Sequence, residues 1–507
     1  MEFHEKGPYY WEVDWQVLVK KAEKFESKEL QKIIVNWEQL LIVEKLLNDA
    51  YVVRRPKPSA YEHRKQVIRV LNDIAKELYG NSASCPVVEE FGSFSMDLFT
   101  TESDLDLSIN FRNSLLVFPR DQKIKTLRKF AKKLYSLQSA GRVQKVETVM
   151  RAKVPILKFV DTATHVECDI SVENMDGISK SLAIRFITSI DERFQKLSLL
   201  MKAWAKAHDI NSPKDQTLNS LSIILLVAFH LQTRDPPILP PFSAILKDGE
   251  DPASVKNSVR SFQNYGRRNT ETLGELFVSF LIKLASVEDL WQKGLCASPY
   301  LGHWTSKTWN NKIAIMSVED FMDRTQNVAR TVGNLEVNKI YDCIRLTIES
   351  FRLFMNVKIE ELQLKELIFG IGSMHHPRVE PRLTMNSLMD LRAGPNRSGH
   401  RGVQQHQAVT AGPEIPWARQ SFYNQPMMGM RVAEGMPATQ RQGSALGGPG
   451  WGGGASTGSS VRANGAAFMD DHNRWSQEVQ PATDPWGRRL QQTPYGNSSN
   501  ARGSLFR

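Results

Sequence analysis

The chain has 507 residues, with 65 Lys and Arg against 55 Asp and Glu, for a net charge of +10 and a pI near 9.2. That length suits two or three domains of roughly 150 residues each, and the basic balance favours a polyanionic partner. The four cysteines at 85, 168, 296 and 343 show no CxxC or Cys/His zinc spacing, which argues against a zinc module and a disulfide framework and suits reduced thiols inside a cell.

The first residues, MEFHEKGPYYWEVDW, are acidic and aromatic, unlike a secretory signal. The longest apolar run, LSIILLVAFHL at 221–231, is too short to cross a bilayer; it reads as a buried helix. The expectation is a cytoplasmic or nuclear protein with no membrane partner. Residues 28–50 and 62–79 repeat apolar positions at helical spacing with charged outer faces. They place N-terminal helices in 1–80, packing partly on a helical domain further on. From 87 to 172 the pattern becomes strand-like, with VVEEFGSF, LDLSINF, VQKVETV, KVPILKFV and HVECDISV, interrupted by a helix at about 120–138. These runs outline an α/β palm over 81–190. A helical pattern returns from 183 to 365, so 191–370 reads as a helical central domain in which PPILPP at 236–241 ends one helix. From 393 the composition shifts: 18 of the 31 glycines, 11 arginines, six acids and no lysine occupy the last 115 residues. Such a segment buries too little apolar surface to offset its ordering entropy, and 393–507 is expected to be a disordered tail.

The chemistry concentrates in FGSFSMDLFTTESDLDL, residues 91–107. Gly92 permits close backbone approach, and with Ser93 it offers N–H groups and a hydroxyl to a triphosphate. Asp104 and Asp106 flank Leu105 in an alternating run, so a strand would set both carboxylates on one face and Leu105, Leu107 and Ile109 in the core. Two hard anionic ligands suit Mg²⁺ or Mn²⁺. Taken alone, Asp-x-Asp is more often a solvated strand edge; the Gly-Ser ahead of it favours the phosphate-and-metal reading. In HVECDISV, Asp169 is a third acid on a polar strand face, ahead of Glu167, and could converge with Asp104 and Asp106 on two ions.

These residues resemble the terminal nucleotidyltransferases of the polymerase-β superfamily, the group of poly(A) polymerase-like enzymes and terminal uridylyltransferases. The superfamily's Gly-Ser followed by Asp-h-Asp matches Gly92-Ser93 and Asp104-Leu105-Asp106, and its third carboxylate matches Asp169. The likeness continues through LLMKAWAKAHDINSP, PPILPP, LGELFVSF, the VED at 318–320 and the QNVAR at 326–330, and is strongest to plant enzymes that tail small RNAs with uridine. It implies an α+β fold: a polymerase-β-type palm, a mixed sheet with helices, packed on a mainly helical poly(A)-polymerase-associated domain. It also implies catalytic and metal-binding roles for Asp104, Asp106 and Asp169. Lys202 and Lys206, which share a helix face at i and i+4, would hold the triphosphate with Gly92 and Ser93, while Ser220 and Leu221 approach the base. The implied substrates are an RNA 3′ end and a nucleoside triphosphate, with UTP favoured over ATP. Adenylate addition, or a weakened paralogue acting as an RNA- or Argonaute-binding adaptor, are the alternatives.

The chain departs from that pattern at three places. Leu221 replaces a tyrosine that stacks on the base in many relatives, Lys180 stands where some have a ribose-contacting asparagine, and Gln326 stands where uridine-selective members can carry histidine. Asn174 matches a frequent family asparagine, and reads equally as a turn residue. In the tail, Trp451 between two glycines and Trp486 before Gly487 resemble the tryptophan hooks of Argonaute-binding proteins; among so many glycines, two such adjacencies also arise by chance.

Overall fold

A computed structural model describes residues 14–33, 36–82, 84–111, 118–246, 252–307, 309 and 315–370. The tail from 393, with Trp451 and Trp486, and the first 13 residues lie outside the described residues. Three helices come first: α1 (Trp15–Gln31), α2 (Trp37–Arg54) and α3 (Pro58–Tyr79). The helical run read at 28–50 is therefore two helices. The Asn36 side chain accepts the N–H groups of Glu38 and Gln39 and starts α2 afresh, as a short amide does better at an N-cap than inside a helix. The apolar spacing survives the break because Leu30, Ile33, Leu40, Val43 and Leu47 all enter one core.

The palm follows as β1 (Val87–Phe91), α4 (Gly92–Ser95), β2 (Leu105–Asn110), α5 (Arg120–Ser139), β3 (Val143–Val149), β4 (Ile156–Asp161) and β5 (Glu167–Val172). The strands lie in the order β1-β2-β5-β4-β3; β2 and β5 are parallel and the other pairs antiparallel. Alternation decides the faces. Leu105, Leu107 and Ile109 of β2 and Cys168, Ile170 and Val172 of β5 are buried with Val67 and Leu71 of α3 and Leu127 and Phe130 of α5. The opposite face carries Asp106 and Asp169.

The remaining helices are α6 (Met175–Thr188), α7 (Glu192–Ala207), α8 (Ser220–Gln232), α9 (Phe242–Ile245), α10 (Pro252–Arg260), α11 (Leu273–Ser286), α12 (Glu336–Met355) and α13 (Glu361–Phe369). The helical reading of 183–365 misses a hairpin of β6 (Leu295–Ser298) and β7 (His303–Ser306); four-residue strands are too short for a periodicity to register. The apolar run at 221–231 falls in α8, buried from Ser222 to Gln232, as a helix apolar all round must be. No helix among the described residues is long and apolar enough to cross a membrane.

Palm and helices share a core. Met96 and Leu98, from the segment between α4 and β2, join α6 residues Ala183, Ile184 and Ile187 in the cluster built by α7, α8, α11 and α12. A polar knot reinforces the joint around Asp97, held at φ 60°. Tyr61 Oη donates to Asp97 Oδ1 (2.5 Å), Gln195 Nε2 donates to Asp97 O and Oδ2 (3.0 Å each), and Tyr51 Oη donates to Gln195 Oε1 (3.0 Å). Asp97→Ala strands the Tyr61 hydroxyl and takes one of the two acceptors of the Gln195 amide, and should cost about 2–3 kcal/mol in urea unfolding; Tyr61→Phe, which removes one hydrogen bond, should cost about 1 kcal/mol.

Candidate active site

The site begins where β1 turns into α4. Gly92 has φ +70°, and a Cβ placed on it would stand 2.0 Å from Asp106 Oδ2 and 2.8 Å from that carboxyl carbon. Both facts demand glycine: the left-handed backbone and the absence of room. The closeness follows from register, since Phe91 of β1 pairs with Asp106 of β2. The Gly92 N–H donates to Ser181 Oγ (2.8 Å), and that hydroxyl donates to Gly177 O (2.6 Å). Of the two N–H groups expected to meet phosphate, that of Gly92 is thus engaged inside the protein, while Ser93 lines the open cleft.

The cleft, about 1160 Å³, is walled by Gly92, Ser93, Asp104, Asp106, Lys202, Lys206, Ser220 and Leu221. Asp169 is the exception. It pairs with Asp106 across β2 and β5, but its Oδ2 takes the Lys158 ammonium at 2.5 Å, and it is not on the cleft wall. Asp169 is still the leading neighbouring charge on both Asp104 and Asp106, while Lys158, its direct cross-strand neighbour, holds its carboxylate. Among the described residues no three Asp, Glu, His or Cys side chains are gathered to hold a metal ion. The pair itself suits a hard cation. Burial, then the charges of Asp169 and Asp104, push the Asp106 carboxyl up to about 7; burial, then Asp169 and Glu167, raise Asp104. Crowded acids with too little counter-charge are what a divalent ion relieves.

On α7, Lys202 Nζ donates to Leu98 O (2.7 Å), and burial pushes its ammonium down to about 8 against the pull of Asp106. Lys206 stands one turn on and is exposed. Ser220 opens α8 with its hydroxyl on the Asn211 side chain (3.3 Å), and Asn219 caps that helix on Ser222 N (2.8 Å) while donating to Val328 O (2.7 Å). Leu221 brings no ring; among the described residues the cleft's aromatic rings are Phe91 and Phe369. Asn174 is the N-cap of α6, the turn role its position also allowed.

Lys180 sits in the cleft wall but is fully engaged, bonded to Asp176 (2.8 Å) and Asp320 (2.6 Å). With side-chain exposures of 10% for Lys180 and 6% for Asp320, it ties α6 to the 318–327 segment instead of presenting a free group. Gln326 lines the cleft beside it, its backbone carbonyl taking Asp320 N (3.1 Å). Sequence reasoning passed over Ser181, Asp320 as the partner of Lys180, and Lys158. The last had a signal: a lysine in the middle of the apolar strand ILKFV.

A mixed sheet in this order, with a Gly-Ser turn laid on an Asp-x-Asp strand, is the α+β palm arrangement expected from the sequence. Residues 43–189 match the family described as "Poly(A) RNA polymerase, mitochondrial-like, central palm domain", so this stretch of the chain is similar to that palm. The chain is 34% identical over 326 residues to Protein HESO1 of Arabidopsis thaliana, covering 59% of this chain and 62% of that protein. It is 31% identical over 242 residues to Poly(A) RNA polymerase GLD2 of Homo sapiens, covering 46% of this chain and 49% of that one. The chain thus spans about three fifths and about half of these two relatives. The crystal structure of mtPAP in complex with UTP superposes with a TM-score of 0.52 at 18% identity, over 72% of this chain and 78% of that one, which establishes the shared fold.

Gly92→Ala should weaken divalent-metal binding at least about tenfold with little change in the circular dichroism of the fold, because the new methyl must displace Asp106. The raised Asp106 also has a signature in pH. Its folded value, about 7 against 3.8, means the folded state keeps a proton that the unfolded chain loses. The stability from neutral Asp106 is whole below about pH 4 and lost as pH rises through about 7. Urea unfolding of the metal-free protein should show that decline, and Asp106→Asn should flatten it.

Proposed function

We propose that the chain is a divalent-metal-dependent, template-independent RNA 3′-terminal nucleotidyltransferase, with uridylate favoured over adenylate. The observation that carries this is the meeting, in one cleft, of Asp104 and Asp106 against Gly92 on the palm side with Lys202 and Lys206 on the α7 side. The reading is supported by the homology to RNA terminal nucleotidyltransferases. In the reaction the RNA 3′ oxygen bonds to the α-phosphorus, the bond from that phosphorus to the bridging oxygen breaks, and pyrophosphate leaves.

Asp104 and Asp106 are the residues to hold Mg²⁺ or Mn²⁺, with Asp169 completing the set once it leaves Lys158. When bound, such an ion neutralises phosphate charge and lowers the pKa of the attacking hydroxyl. The protein's own part is placement. Lys202 and Lys206 face the triphosphate, and an ammonium held near 8 gains its full charge when phosphate oxygens arrive beside it. Ser93 offers a further donor. Ser220, Leu221 and Gln326 border the base, where no ring stands at position 221. An apolar side chain there gives up stacking worth roughly 1–3 kcal/mol. The net charge of +10 draws the RNA backbone. Adenylate addition is the second reading, favoured by the relative named as a poly(A) RNA polymerase.

The test is a labelled RNA primer with Mg²⁺ and each of the four triphosphates, alone and in competition. Extension with UTP in excess is expected; extension by Asp104→Ala plus Asp106→Ala at the wild-type rate would overturn the reading. Leu221→Tyr should tighten nucleotide binding about tenfold or more, by the stacking it restores, as read by isothermal titration.

A further inference from the structure

The cleft-side face of the palm carries a row of charges that the proposed reaction uses only at one end. Register pairs Asp106 with Asp169 across β2 and β5, Asp169 with Lys158 across β5 and β4, and Lys158 with Glu147 across β4 and β3. Directly paired residues share a sheet face, so the row reads acid, acid, base, acid. Strands stand about 4.8 Å apart, and a lysine side chain spans that distance to either side. Lys158 therefore has two carboxylates within reach and rests on one of them. Its ammonium is 2.5 Å from Asp169 Oδ2, while Glu147 is exposed.

We propose that Lys158 is a placeholder cation that occupies Asp169 until a divalent ion arrives and then moves to Glu147. Lys158 is here a positioning residue acting through Asp169, and the inference rests on the metal reading of Asp104 and Asp106. Of the three neighbouring acids, Asp169 has a resident counter-charge. A metal must displace that charge to gain Asp169, and Glu147 makes the displacement easier.

Two variants with opposite signs test this. Mn²⁺ binding to the full chain, followed by loss of the free-ion signal in electron paramagnetic resonance, needs neither RNA nor turnover. Lys158→Met, or Lys158→Gln should the methionine form not fold, removes the competitor and should tighten Mn²⁺ about tenfold, the order expected for deleting a like charge near a half-buried site. Glu147→Gln removes the alternative seat and should weaken Mn²⁺ severalfold. In an Asp169→Asn background both effects should vanish. A Lys158 that merely orients a metal ligand would give the reverse for Lys158→Met, a weaker site. Unchanged or weaker binding by the Lys158 variants, with wild type binding through Asp106, overturns this inference alone. Mn²⁺ binding that is absent, or that survives Asp106→Asn, overturns the metal reading and this inference with it.

Discussion

The site depends on one repulsion: carboxylates held side by side on a sheet face with too little positive charge around them. Asp106 is half-buried, faces Asp169 across the strand and has Asp104 two residues away, and its carboxyl is pushed up to about 7 as a result. Backbone geometry enforces the crowding. The β1–β2 register lays Gly92 against Asp106 so tightly that a methyl group could not be added, and that backbone is itself pinned by Ser181. A protein that stores such a cluster loses stability at neutral pH. The surrounding cations, Lys158 on Asp169 and Lys202 near Asp106, reduce the cost without removing it.

The second feature is that palm and helices are not separable bodies meeting at a groove. Met96 and Leu98 enter the helical core, Asp97 between them gathers Tyr61 and Gln195, and Lys180 binds α6 to Asp320 through a buried ion pair. An ion pair of this burial contributes little net stability but is costly to break from one side, which suits a device that keeps two cleft walls in register. Lys180 thereby does a different job from an asparagine offered to a ribose: it spends its charge on the protein.

Much of the palm was legible because it obeys local rules. Leu105, Leu107 and Ile109 alternate with Asp106 and Ser108, and Cys168, Ile170 and Val172 with Asp169, so the strand period alone assigned their faces. The buried helix at 221–231 announced itself by being apolar all round. What failed had local causes too. Asn36 divides a helical run whose apolar spacing is continuous, and the hairpin at 295–306 has strands of four residues, below the length at which alternation is visible. Lys158 was overlooked because a lone lysine in an apolar strand carries no meaning until its neighbour is known.

The sequence by itself determined the chemistry on offer: a glycine where the chain must bend, acids spaced to share a strand face, lysines spaced to share a helix face. Those are consequences of periods of two and of 3.6 residues, which any reader of the chain can apply. Only the tertiary structure decided which groups are spoken for. Strand order set Lys158 beside Asp169, and the packing of α6 set Ser181 beneath the Gly92 N–H and Lys180 against Asp320, all pairings between residues distant along the chain or on separate strands. Pairing across strands obeys register and topology, which no local period encodes, and so the occupied state of each charge was written in the fold alone.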